Sequence, residues 1–80
     1  MKLPRDLSGD ELAKALGQLG YQVTRQTGSH LRLTTAEPQE HHVTIPRHDS
    51  LRLGTLSAIL RDVANQQGVT REVLVDRLFA

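Results

Sequence analysis

The sequence predicts an α+β domain, a three-stranded antiparallel sheet carrying its helices on one face. Two observations carry this. An N-terminal segment has a helix-start signature and one apolar stripe at helical spacing, after which the pattern switches to strict alternation broken by short turns. Helical spacing then returns for the rest of the chain, so strands are flanked by helices rather than interleaved with them.

The first helix is read from "LSGDEL". Ser8 stands as N-cap with Glu11 three residues on, a capping box, and Leu7 and Leu12 occupy the positions of a hydrophobic staple. Leu12, Ala15, Leu16 and Leu19 follow at i, i+3, i+4 and i+7, and Gly20 supplies the stop. Tyr21 and Val23 then alternate with Gln22 and Thr24, and Thr27-Gly28-Ser29 reads as a hairpin turn. Leu31 and Leu33 alternate with His30, Arg32 and Thr34; after the turn "AEPQE", Val43 and Ile45 alternate with His42 and Thr44 until Pro46 closes the strand. If the leucines face the helices, His30 and Arg32 project from the opposite, open face. Leu56, Ile59, Leu60 and Val63 form a second helical stripe ended by Gly68, and Thr70 caps a last helix carrying Val73, Leu74 and Leu78.

Eighty residues make one domain, residues 1–80. A chain of that size buries only about 60–65% of the surface it exposes when unfolded, so the core has to be compact. With no cysteine, neither disulfides, thiolate metal sites nor a cysteine nucleophile are available. The segment "MKLPRDLSGDEL" has no signal-like apolar stretch, and no apolar run approaches the roughly 18 residues that span a membrane, so a cytoplasmic protein without membrane contact is expected.

Net charge is only +1, yet its distribution is uneven. No acid falls between Glu11 and Glu37, where Lys14, Arg25 and Arg32 lie, and eight of the ten basic residues are arginine, the side chain suited to bidentate phosphate contact. Tyr21 and Phe79 are the only aromatic residues of the Phe, Tyr and Trp class, which argues against a base-stacking sheet built from such residues.

Carboxylate pairs, glycine-rich phosphate loops and a serine–histidine–acid order are lacking, which leaves the four histidines as candidates for chemistry. His41 and His42 are adjacent in a strand, point to opposite faces and match no metal-ligand spacing, so no metal or other cofactor is expected. His30 combines a turn edge, an open sheet face and Arg32 on that face. An imidazole with an ordinary pKa near 6.5 gives or takes a proton at neutral pH. RNA cleavage needs that group to activate a 2′-hydroxyl or protonate the leaving oxygen, with cations to stabilise the phosphorane charge. The competing reading is a surface histidine hydrogen-bonded in a turn.

"GSH" after a basic strand, then "IPRH", then "GTLSAIL", all following "LPRDLSGDEL", resembles the HicA (YcfA-like) family of toxins from Leu3 to Leu78. The resemblance implies a double-stranded-RNA-binding-domain-like fold, α-β-β-β-α, here with an extra C-terminal helix. It also implies an endoribonuclease that cleaves mRNA and is neutralised by a cognate HicB-type antitoxin. The family's catalytic histidine in "GSH" maps onto His30, in agreement with the parity argument. On this reading Gly28 and Ser29 shape the turn and offer backbone donors to phosphate. Arg25, Arg32 and Arg47 are the phosphate contacts, although strand parity can turn Arg25 toward the helices. His48 matches the family's loop histidine and reads as a loop-capping residue rather than a second catalyst, while either His48 or water can supply the second proton transfer. Attack by the 2′-hydroxyl and direct attack by water both remain open, as does the oligomeric state.

Two other function classes are kept. A non-catalytic double-stranded-RNA-binding module needs the fold and the arginines but not His30. Ala64 and Gly68 four apart, with Val69 and Leu74, resemble a helix-turn-helix that reads DNA. Gln67 and Arg77 stand where that motif wants apolar residues, so two core-covering helices joined by a glycine turn is the preferred reading of the tail.

Overall fold

In a computed structural model, which describes residues 3–79, helix α1 (Gly9–Leu16) starts where the capping box places it. Ser8 Oγ accepts the Glu11 amide at 3.0 Å and Glu11 Oε1 accepts the Ser8 amide at 2.9 Å. The Ser8 amide first, and then the Ser8 hydroxyl, hold the Glu11 carboxyl below its ordinary pKa by hydrogen bonding to it. A 3₁₀ turn, Gly17–Leu19, completes the three turns and stops at Gly20.

Strands β1 (Gln22–Thr27), β2 (His30–Thr35) and β3 (His41–Pro46) pair antiparallel in the order β1-β2-β3. Helices α2 (Leu53–Gln67) and α3 (Arg71–Phe79) follow, giving α-β-β-β-α with an additional C-terminal helix. Leu31 opposes Ile45 and Leu33 opposes Val43, and all four are buried against the helices. Each such side chain contributes about 1.5–3 kcal/mol by leaving water. Leu12 and Leu16 of α1, Leu60 and Val63 of α2, and Leu74 and Val75 of α3 complete the core. None of the described helices is long and apolar enough to cross a membrane.

Two expectations of burial fail, each for a definable reason. Val23 is 50% exposed although its partner Leu33 is fully buried, because β1 is an edge strand that overhangs the helix layer. Tyr21, just before the strand, is the residue that enters the core instead. In α3, Val75 is buried and Val73 is exposed. With Thr70 Oγ1 capping the Val73 amide, Leu74, Val75 and Leu78 make the inward stripe and Val73 falls on the other side of the helix.

The loop from β3 to α2 is laced to the start of α1. Gly9 donates its amide to the His48 carbonyl (3.0 Å), and Leu51 donates to the Leu7 carbonyl (2.8 Å). A Cβ at position 9 would collide with the Pro46 carbonyl, so the approach of α1 to the end of β3 requires glycine there.

Candidate functional site

The hairpin between β1 and β2 has two loop residues, Gly28 and Ser29, with Gly28 at φ +52°. Glycine at the first of two central positions is the requirement of a type II′ turn, whose twist matches that of the flanking strands. His30 is the first residue of β2, opposite Thr27 on one side and Pro46 on the other, and is exposed. Leu31 is buried, so alternation places His30 on the face away from the helices, as expected. Ser29 Oγ lies 3.5 Å from His30 Nδ1, at the outer limit of a hydrogen bond, and no carboxylate pairs with His30 among the described residues.

Arg25 reaches that same face by a β-bulge. Val23 opposes Leu33 and Arg25 opposes Arg32, so β1 advances two residues while β2 advances one, with Thr24 as the extra residue. Without the bulge, Arg25 would share the parity of Val23 and face the helices. With it, the open face carries three rows across the sheet: Thr27, His30 and Pro46; then Arg25, Arg32 and Thr44; then Gln22, Thr34 and His42. Neither Arg25 nor Arg32 has a carboxylate partner among the described residues. His30 and Arg32 stand two residues apart on one strand, about 7 Å, so a single phosphate group can approach both.

Arg47 is placed elsewhere. Its guanidinium binds Asp10 in bidentate fashion, Nε to Oδ1 at 3.0 Å and Nη2 to Oδ2 at 3.1 Å, tying the loop to the first turn of α1. Its backbone amide donates to the Ser29 carbonyl at 2.6 Å, so residue 47 positions the turn that carries His30. The amides of Gly28 and Ser29 do not take part in the turn and cap hydrogen bonds among the described residues. His48 is exposed, and its link to α1 is made by its carbonyl, not its ring.

Sequence reading missed two side-chain relays. On the open face, Thr24 Oγ1 is 2.9 Å from Thr34 Oγ1, which is 2.7 Å from His42 Nδ1, and His42 Nε2 is 3.1 Å from Glu40 Oε2. With Thr34 donating to Nδ1, Nε2 of His42 carries the proton that Glu40 accepts. On the helix side, Tyr21 Oη is 2.8 Å from His41 Nδ1, and His41 Nε2 is 3.1 Å from Asp62 Oδ1 of α2. That second relay joins the start of β1, β3 and α2. Burial raises the Tyr21 pKa first, the Asp62 charge adds to the rise, and a hydrogen bond from Gln67 opposes it. The available signal was the parity of adjacent His41 and His42, which does send them to opposite faces. Among the described residues no group of three His, Asp or Glu side chains is arranged to hold a metal ion.

The family model described as "HicA toxin of bacterial toxin-antitoxin" matches residues 9–64, more than half of the chain, from the start of α1 to the last turn of α2. No curated protein and no solved structure matches the chain.

Proposed function

This chain belongs to the HicA toxin family of bacterial toxin–antitoxin systems, and on that premise we propose that it is an endoribonuclease cleaving mRNA with His30 as the acid–base group. An antitoxin partner goes with the family; the partner proposed here is a HicB-type protein. The observation that supports catalysis is the placement of His30, exposed at a strand start and next to two arginines on the same face that have no carboxylate partner among the described residues.

In the proposed reaction the scissile phosphate lies over His30 and Arg32. His30 removes the proton of the 2′-hydroxyl, whose oxygen attacks phosphorus; the bond from phosphorus to the 5′-oxygen breaks as water supplies that oxygen with a proton, and His30 returns its own proton to solvent. The products are a 2′,3′-cyclic phosphate and a 5′-hydroxyl. Arg25 and Arg32 stabilise the extra negative charge of the phosphorane, and the amides of the Gly28-Ser29 turn add donors beside it. Arg47 contributes by fixing the turn, since its guanidinium is engaged by Asp10.

The test is cleavage of an RNA carrying a single 2′-deoxy nucleotide at the cut site. The reading predicts that this substitution blocks cleavage there and that the unmodified RNA yields cyclic-phosphate ends. Undiminished cleavage at the 2′-deoxy position would contradict the 2′-hydroxyl mechanism.

A further inference from the structure

We propose that the imidazole of His42 is a stacking platform for one unpaired base, which makes the substrate of the open face a single-stranded RNA segment. This rests on the reading of that face as an RNA surface and goes beyond it by assigning a second contact point and a strandedness.

His42 is not a second catalyst for the same phosphate. His30 opposes Pro46, and Pro46 lies four residues along β3 from His42, a separation of about 13 Å. One scissile phosphate cannot touch both rings, so His42 meets the chain at another nucleotide.

The hydrogen bonds of His42 decide what it can offer. Both ring nitrogens are taken, Nδ1 by Thr34 across the sheet and Nε2 by Glu40 just before the start of β3, so neither is free to read a base edge or bind a phosphate oxygen. Hydrogen bonds to ring nitrogens lie in the ring plane, and these two run in different directions, to Thr34 of β2 and to Glu40. They fix that plane and, with both nitrogens engaged, leave only the faces and the carbon edge of the ring to meet a ligand; the side chain is 39% exposed. Charge points the same way. The Glu40 carboxylate beside the ring repels a phosphate, whereas a neutral base placed flat on the imidazole meets no such penalty.

Position completes the argument. Arg25 and Arg32 form the row between His30 and His42, so a strand crossing the face meets the imidazole of His30, then two cations, then the flat ring of His42. Tyr21 is buried and Phe79 packs against the core, so among the described residues no Phe, Tyr or Trp serves the open face. Histidine takes the role that aromatic composition alone argued against. A base free to stack on a protein ring has left its own helix, and unpaired RNA supplies such bases without the cost of melting a duplex.

The experiment measures binding by fluorescence anisotropy in a His30→Ala background, which removes the proposed acid–base group. The probes are a short labelled single-stranded RNA, the same sequence as a duplex, and single-stranded versions with one abasic position moved along the sequence. His42→Ala is expected to weaken single-strand binding by about 5- to 150-fold, and His42→Phe to stay within a few-fold of the parent. One abasic position is expected to reproduce the loss in the parent protein, an arm that needs no change at position 42. A His42→Ala protein that melts like its parent and binds the single strand equally would overturn the proposal, as would an abasic series without effect. If the parent binds duplex but not single-stranded RNA, the proposal fails while the RNA surface stands. If it binds no RNA at all, the functional reading fails with it.

Discussion

Arg25 and Arg32 stand directly opposite each other across β1 and β2, two cations on one face brought into register by the bulge at Thr24. Like charges in that position cost the fold on the order of 0.2–1 kcal/mol, and no carboxylate among the described residues relieves them. Arg25→Gln is therefore expected to leave the melting temperature unchanged or raise it, while weakening RNA binding. If each arginine neutralises one phosphate, the slope of log affinity against log salt should fall by about 0.7 for a single strand. Thermal melts and a salt titration check both signs, and a destabilised variant with an unchanged slope would mean that Arg25 is structural.

Asp10 and Arg47 give the contrasting case. Both side chains are substantially exposed, so breaking their bidentate pair with Arg47→Gln should cost only about 0.2–1 kcal/mol. The salt slope should stay as in the wild type, because the Asp10 carboxylate already engages the guanidinium. A slope reduced as much as in Arg25→Gln would place Arg47 on the RNA.

Gly9→Ala tests the docking of α1 against the end of β3. The added methyl group meets the Pro46 carbonyl, a backbone group that cannot swing aside, so urea denaturation should show a loss of about 1–3 kcal/mol. Gly17→Ala, where a Cβ meets nothing, is the control and should not destabilise.

Tyr21 sets an alkaline limit. Its folded pKa is raised above the ordinary value of 10.0 because burial disfavours the phenolate. The contribution of the neutral phenol is fully present below that ordinary value and is lost as pH rises through the folded one. Tyr21→Phe loses the hydrogen bond to His41, costing about 0.5–1.5 kcal/mol near neutral pH. Stability measured from pH 8 to 11 should then fall less steeply in Tyr21→Phe than in wild type; equal slopes would assign the alkaline loss to other groups.

The parts of this fold legible in the sequence are those governed by local rules. Ser8 and Glu11 announce a helix start by hydrogen bonds three residues apart, and Leu31, Leu33, Val43 and Ile45 announce their face by alternation. The same alternation exposes His30, because β2 is regular from its first residue. It misleads for Arg25, since a bulge is one inserted residue and leaves no periodic trace. Val23 departs because the burial of an edge strand depends on how far the helix layer reaches over it, and the choice between Val73 and Val75 depends on the rotation of α3 about its axis. The Asp10–Arg47 pair and the Glu40–His42–Thr34 relay depend on side-chain meeting points that only the folded chain defines.

His30→Ala tests the central claim most directly. The ring is exposed, with one hydrogen-bond contact at the outer distance limit, so its removal should change stability by no more than about 0.5 kcal/mol. Loss of a positioned acid–base group should slow RNA cleavage by about 10²–10⁴-fold. Single-turnover cleavage by purified wild type and variant, run beside thermal melts of both, reads the two quantities separately. The account predicts matched melts and a cleavage rate lower by at least two orders of magnitude; matched melts with matched rates would remove His30 from the chemistry.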